Sequence, residues 1–381
     1  MTRKHLLNIL ILFVITRIAL IGAGVASLRF LSSVEGDEYK HLLDGVPALD
    51  MWYRWDAGFY ATIATEGYDW LETRQPSADM AFLPVYPLAL RLASGISGTG
   101  CVWSPYLSTC ATVGGLIISN LALLGSCFLL YSLAYRRFGA PTAWRSVILL
   151  LIAPTAVFLS GVYTESTFLF WVLLTFWMLE RDKFLLAIIA ACFACLTRSV
   201  GVALVPAILW WVWEHNRGTT LKVRALLALI PGILFSVYVL GTGFYVGEPL
   251  AFFSAYEGIW GRSSSILDSI LIYTREPVAL LGWYPSWLDL FAAGSYLVFA
   301  LWIVWKWRRR AWGIYALFAT LIPIASGSLV GMPRFGGVIF PFYIQIARWI
   351  DRPWKQALVY AISAGLALLF LSRFVTWRWI A

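Results

Sequence analysis

Apolar residues run almost unbroken for about 15 to 25 positions at a time, and polar residues gather in islands between those runs. A helix needs about 20 mostly apolar residues to cross the hydrocarbon core, so the pattern predicts an all-α polytopic membrane protein. A barrel would instead show alternating segments of about 10 residues. The first run, Leu6 to about Leu28, is longer than the apolar core of a signal peptide and is taken as a first crossing. Later runs cover about 106–135, 146–162, 166–179, 225–246, 284–305, 314–330, 335–349 and 357–371. Basic clusters at Arg136-Arg137, Arg181 and Lys183, Lys306 to Arg310, and Arg348 to Lys355 fall at alternate ends of these runs. That is the bias expected of cytoplasmic loops, and it predicts about 11 crossings in a single domain over 1–381. The run 184–213 has basic residues at both ends. If both ends are cytoplasmic, the run crosses twice and breaks near Thr197-Arg198-Ser199, with Arg198 in a protein-lined cavity; otherwise it crosses once.

Two polar islands are long enough to be outer loops, 31–95 and 247–283. The first carries Glu35, Asp37, Glu38, Asp44, Asp50, Asp56, Glu66, Asp69, Glu72 and Asp79, half of the chain's 20 acidic residues. Within it Trp52, Trp55, Phe59 and Ile63 recur at helical spacing. The spacing predicts an amphipathic helix over about 51–66, capped by Asp50, stopped at Gly67 and lying flat on the membrane surface. Met80 to Ser94 is short for a crossing and is read as a second surface helix.

Composition narrows the class further. The chain is 60% hydrophobic and only 13% charged, against about 25% charged in soluble domains. The net charge of +9 lies in loop clusters, so it points to a membrane and not to nucleic acid. Many of the 21 tryptophans stand near the ends of apolar runs, where indoles anchor at headgroup level. Cys192 and Cys195 read as small core residues, and Cys101 and Cys110 are placed where a disulfide can form. His5, His41 and His215 are scattered, which argues against a histidine metal site or a Ser-His-Asp triad.

Charged groups at membrane depth cost about 2.5 to 3.5 kcal/mol each, so Glu165, Arg198 and Arg334 are candidates for function. On this topology all three lie toward the outer side, as does Asp56. Their structural reading is a Glu165–Arg198 ion pair and an Arg334 that snorkels to headgroups. Their functional reading is a site for a lipid phosphate, whose oxygens the arginine fork suits. Asp56 reads either as an acid favoured by a helix dipole or as a general base that takes a proton from an acceptor hydroxyl, with Glu66, Asp69 and Asp79 as substitutes. Trp55 and Tyr60 are placed to orient that acceptor. Nothing requires a cofactor, although Asp56 with Glu66 or Asp69 offers carboxylates for a divalent metal.

The segments RWDAGFYATIATEGY (Arg54 to Tyr68) and AFLPVYPLALR (Ala81 to Arg91) together resemble the first luminal loop of the GPI mannosyltransferase 2 (PIG-V-type) family. Weaker echoes follow at Pro154 to Glu165, at Arg198-Ser199-x-Gly201, and at Pro333-Arg334-Phe335 with Phe340-Pro341. Leu83 stands where the family often has a second Phe. The resemblance implies a GT-C glycosyltransferase with its catalytic acid, here Asp56, in the first outer loop. It implies a polyprenyl-phosphate-linked sugar donor, mannose in that family, inversion at the anomeric carbon, and a lipid or glycolipid acceptor. The absence of an N-x-Ser/Thr sequon points to a bacterial plasma-membrane homologue with its active site outside. The rival reading is a lipid or glycolipid transporter or flippase with an intramembrane Arg/Glu path, which would show an inverted repeat with matching broken helices.

Overall fold

The computed structural model describes residues 3–34, 46–94, 109–215, 219–262, 267–282, 285–307 and 310–380. Glu35, Asp37, Glu38, His41, Asp44 and Cys101 lie outside the described residues. Among those described there is no strand, only an isolated bridge between Ala279 and Ser286.

The helices are, in chain order, α1 (Arg3–Phe30), α2 (Pro47–Asp50), α3 (Ala57–Glu66), α4 (Asp69–Thr73), α5 (Val85–Ala93) and α6 (Thr109–Leu151). Next come α7 (Ala156–Ser160), α8 (Glu165–Leu179), α9 (Phe184–Cys195), α10 (Leu204–His215), α11 (Thr219–Ala228) and α12 (Ile230–Tyr245). The last are α13 (Ala251–Trp260), α14 (Asp268–Arg275), α15 (Trp287–Lys306), α16 (Ala311–Ala325), α17 (Met332–Gly336), α18 (Phe340–Trp349) and α19 (Pro353–Val375). Among the described residues, five stretches are long and apolar enough to span a membrane: α1, α6, Thr220–Tyr245, α15 and α19. Shorter apolar helices at α8, α9 and α16 accompany them. This is an integral membrane protein.

In α1 only Ile9, Phe13, Arg17, Leu20 and Gly24 are buried. Their spacing of three and four makes one inward stripe, while Leu7, Ile15 and Ile18 on the other faces are exposed. That is the inverse of a soluble amphipathic helix, because lipid solvates the remaining apolar surface. The run expected to turn at Arg136-Arg137 does so: α6 is kinked at Gly139 (φ 81°), two residues before Pro141. Proline there removes an amide donor and crowds the preceding turn.

The described chain divides into two compact units. The first comprises 1–65, 86–170 and 343–380; the second comprises 66–85 and 171–342. In the first unit, α1 packs against α6 and α19, and α19 against α7. In the second, α16 packs against α10 and α15, and α9 against α12.

The expected break in 184–213 is present. Helix α9 ends at Cys195, Arg198 is extended (φ −147°, ψ 140°), and a 3-10 turn over Ser199–Ala203 leads into α10. Gly201 permits that turn. A Cβ there would lie 2.7 Å from the backbone carbon and oxygen of Ala194 and from the Cα of Cys195.

The first long polar loop departs from the single helix expected over 51–66. The chain forms α2, then turns through Met51–Asp56, and only then enters α3. Asp50 does not cap a helix start but ends α2. Trp52 and Ile63 are buried in protein while Phe59 is exposed, so the proposed aromatic stripe does not form. The stop at Gly67 (φ 96°) is as expected. The second surface helix is shorter than 80–94, being a 3-10 turn at Ala78–Ala81 followed by α5. Helix α5 buries Tyr86, Pro87 and Leu90 and exposes Leu88 and Leu92.

Candidate active site

Arg54 explains why the helix cannot run through the first loop. Its guanidinium is fully buried, and a buried charge must be paired and hydrogen-bonded. One terminal nitrogen donates to the Asp50 carboxylate at 2.5 Å. The other donates to the carbonyls of Asp50 and of Tyr53, the latter at 2.9 Å. Nε reaches the Val375 carbonyl at 3.4 Å, and Cζ lies 4.8 Å from the centroid of the Trp377 ring. Burial pulls the Arg54 pKa down and Asp50 partly restores it. From the opposite side, the Tyr163 hydroxyl donates to the Arg54 carbonyl at 2.7 Å. The peptide just before Trp55 is therefore held from α2, from the α7–α8 turn and from the end of α19.

Two residues with left-handed backbones meet beside it. Trp55 has φ 55° and Trp377 has φ 61°. Their rings pack edge to face at 5.5 Å, and Trp55 meets Trp379 at 5.2 Å. Such backbones are uncommon for bulky residues and persist only where the surroundings over-determine them. Asp56 follows directly. It is buried, immediately precedes α3, and its carbonyl accepts from the Tyr60 amide at 3.3 Å. A carboxylate at that point gains from the helix dipole.

Tyr60, on the next turn, is buried against Tyr86 with centroids 5.0 Å apart, and its hydroxyl is 3.4 Å from the Thr164 hydroxyl. Tyr86 in turn bonds Ser119 at 3.1 Å, and the Ser119 hydroxyl donates to the Tyr163 carbonyl at 3.2 Å. Glu165 opens α8 fully buried, within electrostatic reach of Tyr86. The structure thus gathers Trp55, Asp56, Tyr60 and Glu165 into the first unit.

Arg198 and Arg334 belong to the second unit. The Cζ of Arg198 lies 5.3 Å from the centroid of the Phe335 ring, and Arg334 precedes Phe335 in α17, buried. A third guanidinium joins them, which sequence reasoning placed in the second outer loop without assigning it a role. Arg262 lies 5.3 Å from the same Phe335 centroid and 5.9 Å from that of Tyr256. It donates to the Ser326 hydroxyl at 2.7 Å and to the Val330 carbonyl at 3.0 Å. Its pKa is pushed down to about 10, by burial first; Tyr256 and Asp289 oppose this, and Arg198 and Arg334 add to it. It remains cationic at neutral pH. Asp289, buried in the first turn of α15, accepts from the Ser286 hydroxyl at 2.7 Å and from the Met332 amide at 3.2 Å.

Of the substitute carboxylates, Asp79 serves the loop itself. It accepts from the Ser77 hydroxyl and, at 2.6 Å, from the Asp69 amide at the head of α4. Burial raises its pKa, and the Ser77 hydroxyl opposes that shift. Among the described residues, no three or more His, Cys, Asp or Glu gather as a metal cage. Cys110 is disulfide-bonded, while Cys127, Cys192 and Cys195 are free.

Within each unit, segments that resembled one family meet: Tyr163, of the stretch Pro154 to Glu165, touches Arg54, and Phe335 lies against Arg198. A family model for mannosyltransferase (PIG-V) matches residues 7–259. The chain belongs to the PIG-V mannosyltransferase family. The matched span holds Trp55, Asp56, Tyr60, Glu165 and Arg198 and ends just before Arg262. No curated protein matches the PIG-V-family chain.

Among solved structures, the fold is similar to the oligosaccharyltransferase of Archaeoglobus fulgidus in the apo form. The TM-score is 0.51 at 11% identity, over 98% of this chain and 56% of that one. It is equally similar to ArnT from Cupriavidus metallidurans in the apo state, at TM-score 0.51 and 20% identity over 94% of this chain and 64% of that one. The same ArnT bound to undecaprenyl phosphate gives TM-score 0.51 at 18% identity. These likenesses show a GT-C-type membrane fold. The chain spans less than two thirds of the length of each of these structures.

Proposed function

We propose that this protein is a membrane glycosyltransferase that moves a sugar, mannose on the family's description, from a polyprenyl-phosphate donor to a lipid or glycolipid acceptor. Asp56 is the general base. The observation that carries this reading is the way the fold holds Asp56. A fully buried arginine, a tyrosine hydroxyl and two left-handed tryptophans fix the peptide before it, within the span shared with the PIG-V family.

In the reaction, the acceptor hydroxyl is oriented by Trp55 and Tyr60 and loses its proton to the Asp56 carboxylate. Its oxygen attacks the anomeric carbon from the face opposite the lipid phosphate, so the new bond is inverted. The bond from the anomeric carbon to the phosphate oxygen breaks, and its electron pair leaves on the phosphate. General base catalysis contributes about 10²- to 10⁴-fold. Arg198 and Arg334 hold the donor phosphate, and Glu165 belongs to the polar wall of the site. The bonded Cys110 at the head of α6 supports an extracytoplasmic face for the loops beside it, because disulfides persist on the oxidising side.

The test supplies purified protein in lipid with radiolabelled polyprenyl-phosphate-mannose and a membrane glycolipid extract. Label moving into a new lipid product supports transferase action. Label crossing sealed vesicles with no new product would replace it with a transporter.

A further inference from the structure

Arg17 stands near the middle of α1, on its buried stripe, and belongs to neither group of candidate residues. Among the described residues no carboxylate pairs with it. Its partners are neutral: one terminal nitrogen donates to the Ser160 hydroxyl, the other to the Leu151 carbonyl at 2.9 Å. Its Nε is buried and has no hydrogen-bond partner among the described residues. A charge buried at membrane depth is unfavourable, and an aliphatic side chain would fill the same stripe at less cost. Packing alone does not account for an arginine here.

The two acceptors explain it. Helix α6 stops at Leu151, three residues before Pro154. Proline offers no amide and turns the residue before it away from helical backbone. The last carbonyls of α6 then lack helical donors, and within a membrane no water replaces them. Arg17 supplies one. Its second acceptor, Ser160, is the last residue of α7. The Ser160 hydroxyl donates to the Ala156 carbonyl at 3.0 Å, and the Ser160 carbonyl accepts from Asn120 Nδ2 at 3.1 Å. Gly161 and Val162 lead from there to Tyr163. The Tyr163 hydroxyl holds the Arg54 carbonyl at 2.7 Å, and its own carbonyl accepts from Ser119 at 3.2 Å. Arg17 therefore stands at the far end of a chain of contacts that reaches the peptide before Trp55 and Asp56, all inside the first unit. We infer that Arg17 is a positioning residue for Asp56, acting through Ser160 and Tyr163. The inference rests on the function proposed above, in which Asp56 is the general base. It gives the first membrane helix a part in the reaction without contact with the reacting atoms.

The test replaces Arg17 by Met, which keeps the length and removes the charge. Hydrogen exchange should quicken by at least about tenfold at the Ala57 and Gly58 amides, which bond the Arg54 and Trp55 carbonyls. The amides of α6 before Gly139, which also pack on α1, should exchange as in wild type. In turnover, Arg17→Met should lower kcat at least about tenfold, within the 10²-fold that a misplacement of about 1 Å can cost, with the donor KM nearly unchanged. Arg17→Lys should recover part of the rate, because it restores a cationic donor. Adding Tyr163→Phe to Arg17→Met should cost no more than the worse single change, because both act along one path. Ser160→Ala, which keeps the buried charge and its Leu151 contact, should show a weaker form of both the exchange and the kcat effects. Additive losses in the double variant would overturn the inference. So would exchange that rises equally in α6, or a Ser160→Ala that behaves as wild type. If wild type transfers no sugar, the proposed function falls, and hydrogen exchange still decides whether Arg17 orders the loop.

Discussion

The two groups of candidate residues are built in opposite ways. Around Asp56 the work is done by short, saturated contacts to backbone. Arg54 bonds three carbonyls and a carboxylate, and Tyr163 bonds the Arg54 carbonyl in return. Around Phe335 two arginines from non-helical stretches gather on one ring at 5.3 Å, and one of them, Arg262, is bonded to the Ser326 hydroxyl and the Val330 carbonyl. The difference suits the two tasks. A base must meet one proton at hydrogen-bond distance, so its loop is fixed in advance. A lipid phosphate presents several oxygens, and cations brought in from different elements suit it better than one fixed contact.

The contrast can be broken from either side. The largest stability effect should come from Arg54→Ala, which removes the buried ion-pair partner of the Asp50 carboxylate. Breaking such a pair costs about 3 to 5 kcal/mol, and thermal unfolding in detergent should show it as a large fall in midpoint. A protein that keeps its midpoint would mean that the loop is held some other way. On the other side, Gly201→Ala forces a Cβ into the end of α9 at 2.7 Å. Overpacking of this kind costs about 1 to 3 kcal/mol. It should displace Arg198, so lipid-phosphate affinity should fall more than the unfolding midpoint does. Equal losses would point to a general packing defect.

Smaller effects sharpen the picture. Trp379→Leu removes one edge-to-face partner of Trp55, worth about 0.5 to 1.5 kcal/mol, and should loosen Asp56 enough to lower kcat a few-fold with folding kept. The smallest effect is at Asp79. Its pKa is raised by burial, so the folded state binds a proton more readily than the unfolded chain. Stability is therefore greatest when Asp79 is protonated and declines as pH rises from the ordinary value of 3.8 through the raised one. Asp79→Asn should flatten that part of the pH–stability curve, which unfolding midpoints across the acid range would reveal.

The sequence showed the membrane class, the break after α9 and the stop at Gly67, because each depends on local chemistry: apolar run length, a polar triplet inside an apolar run, and a residue that tolerates positive φ. It misplaced the start of α3, because Trp52, Trp55, Phe59 and Ile63 do share helical spacing. What overrides that spacing is Arg54, whose partners Val375 and Tyr163 are more than 100 positions away. The one local hint was the Asp50–Arg54 spacing of four, which is ion-pair spacing. Arg262 was missed for the same reason. Nothing beside it in the chain distinguishes it from the other loop charges, and only Phe335 and Ser326, brought up by folding, give it a role.

The central claim is that the Asp56 carboxylate takes the acceptor proton, and single-turnover sugar transfer by Asp56→Asn tests it most directly, with donor binding and the unfolding midpoint measured in parallel. The account predicts transfer slowed by at least about 10²-fold while the midpoint and donor affinity stay near wild type. Transfer at the wild-type rate would contradict it.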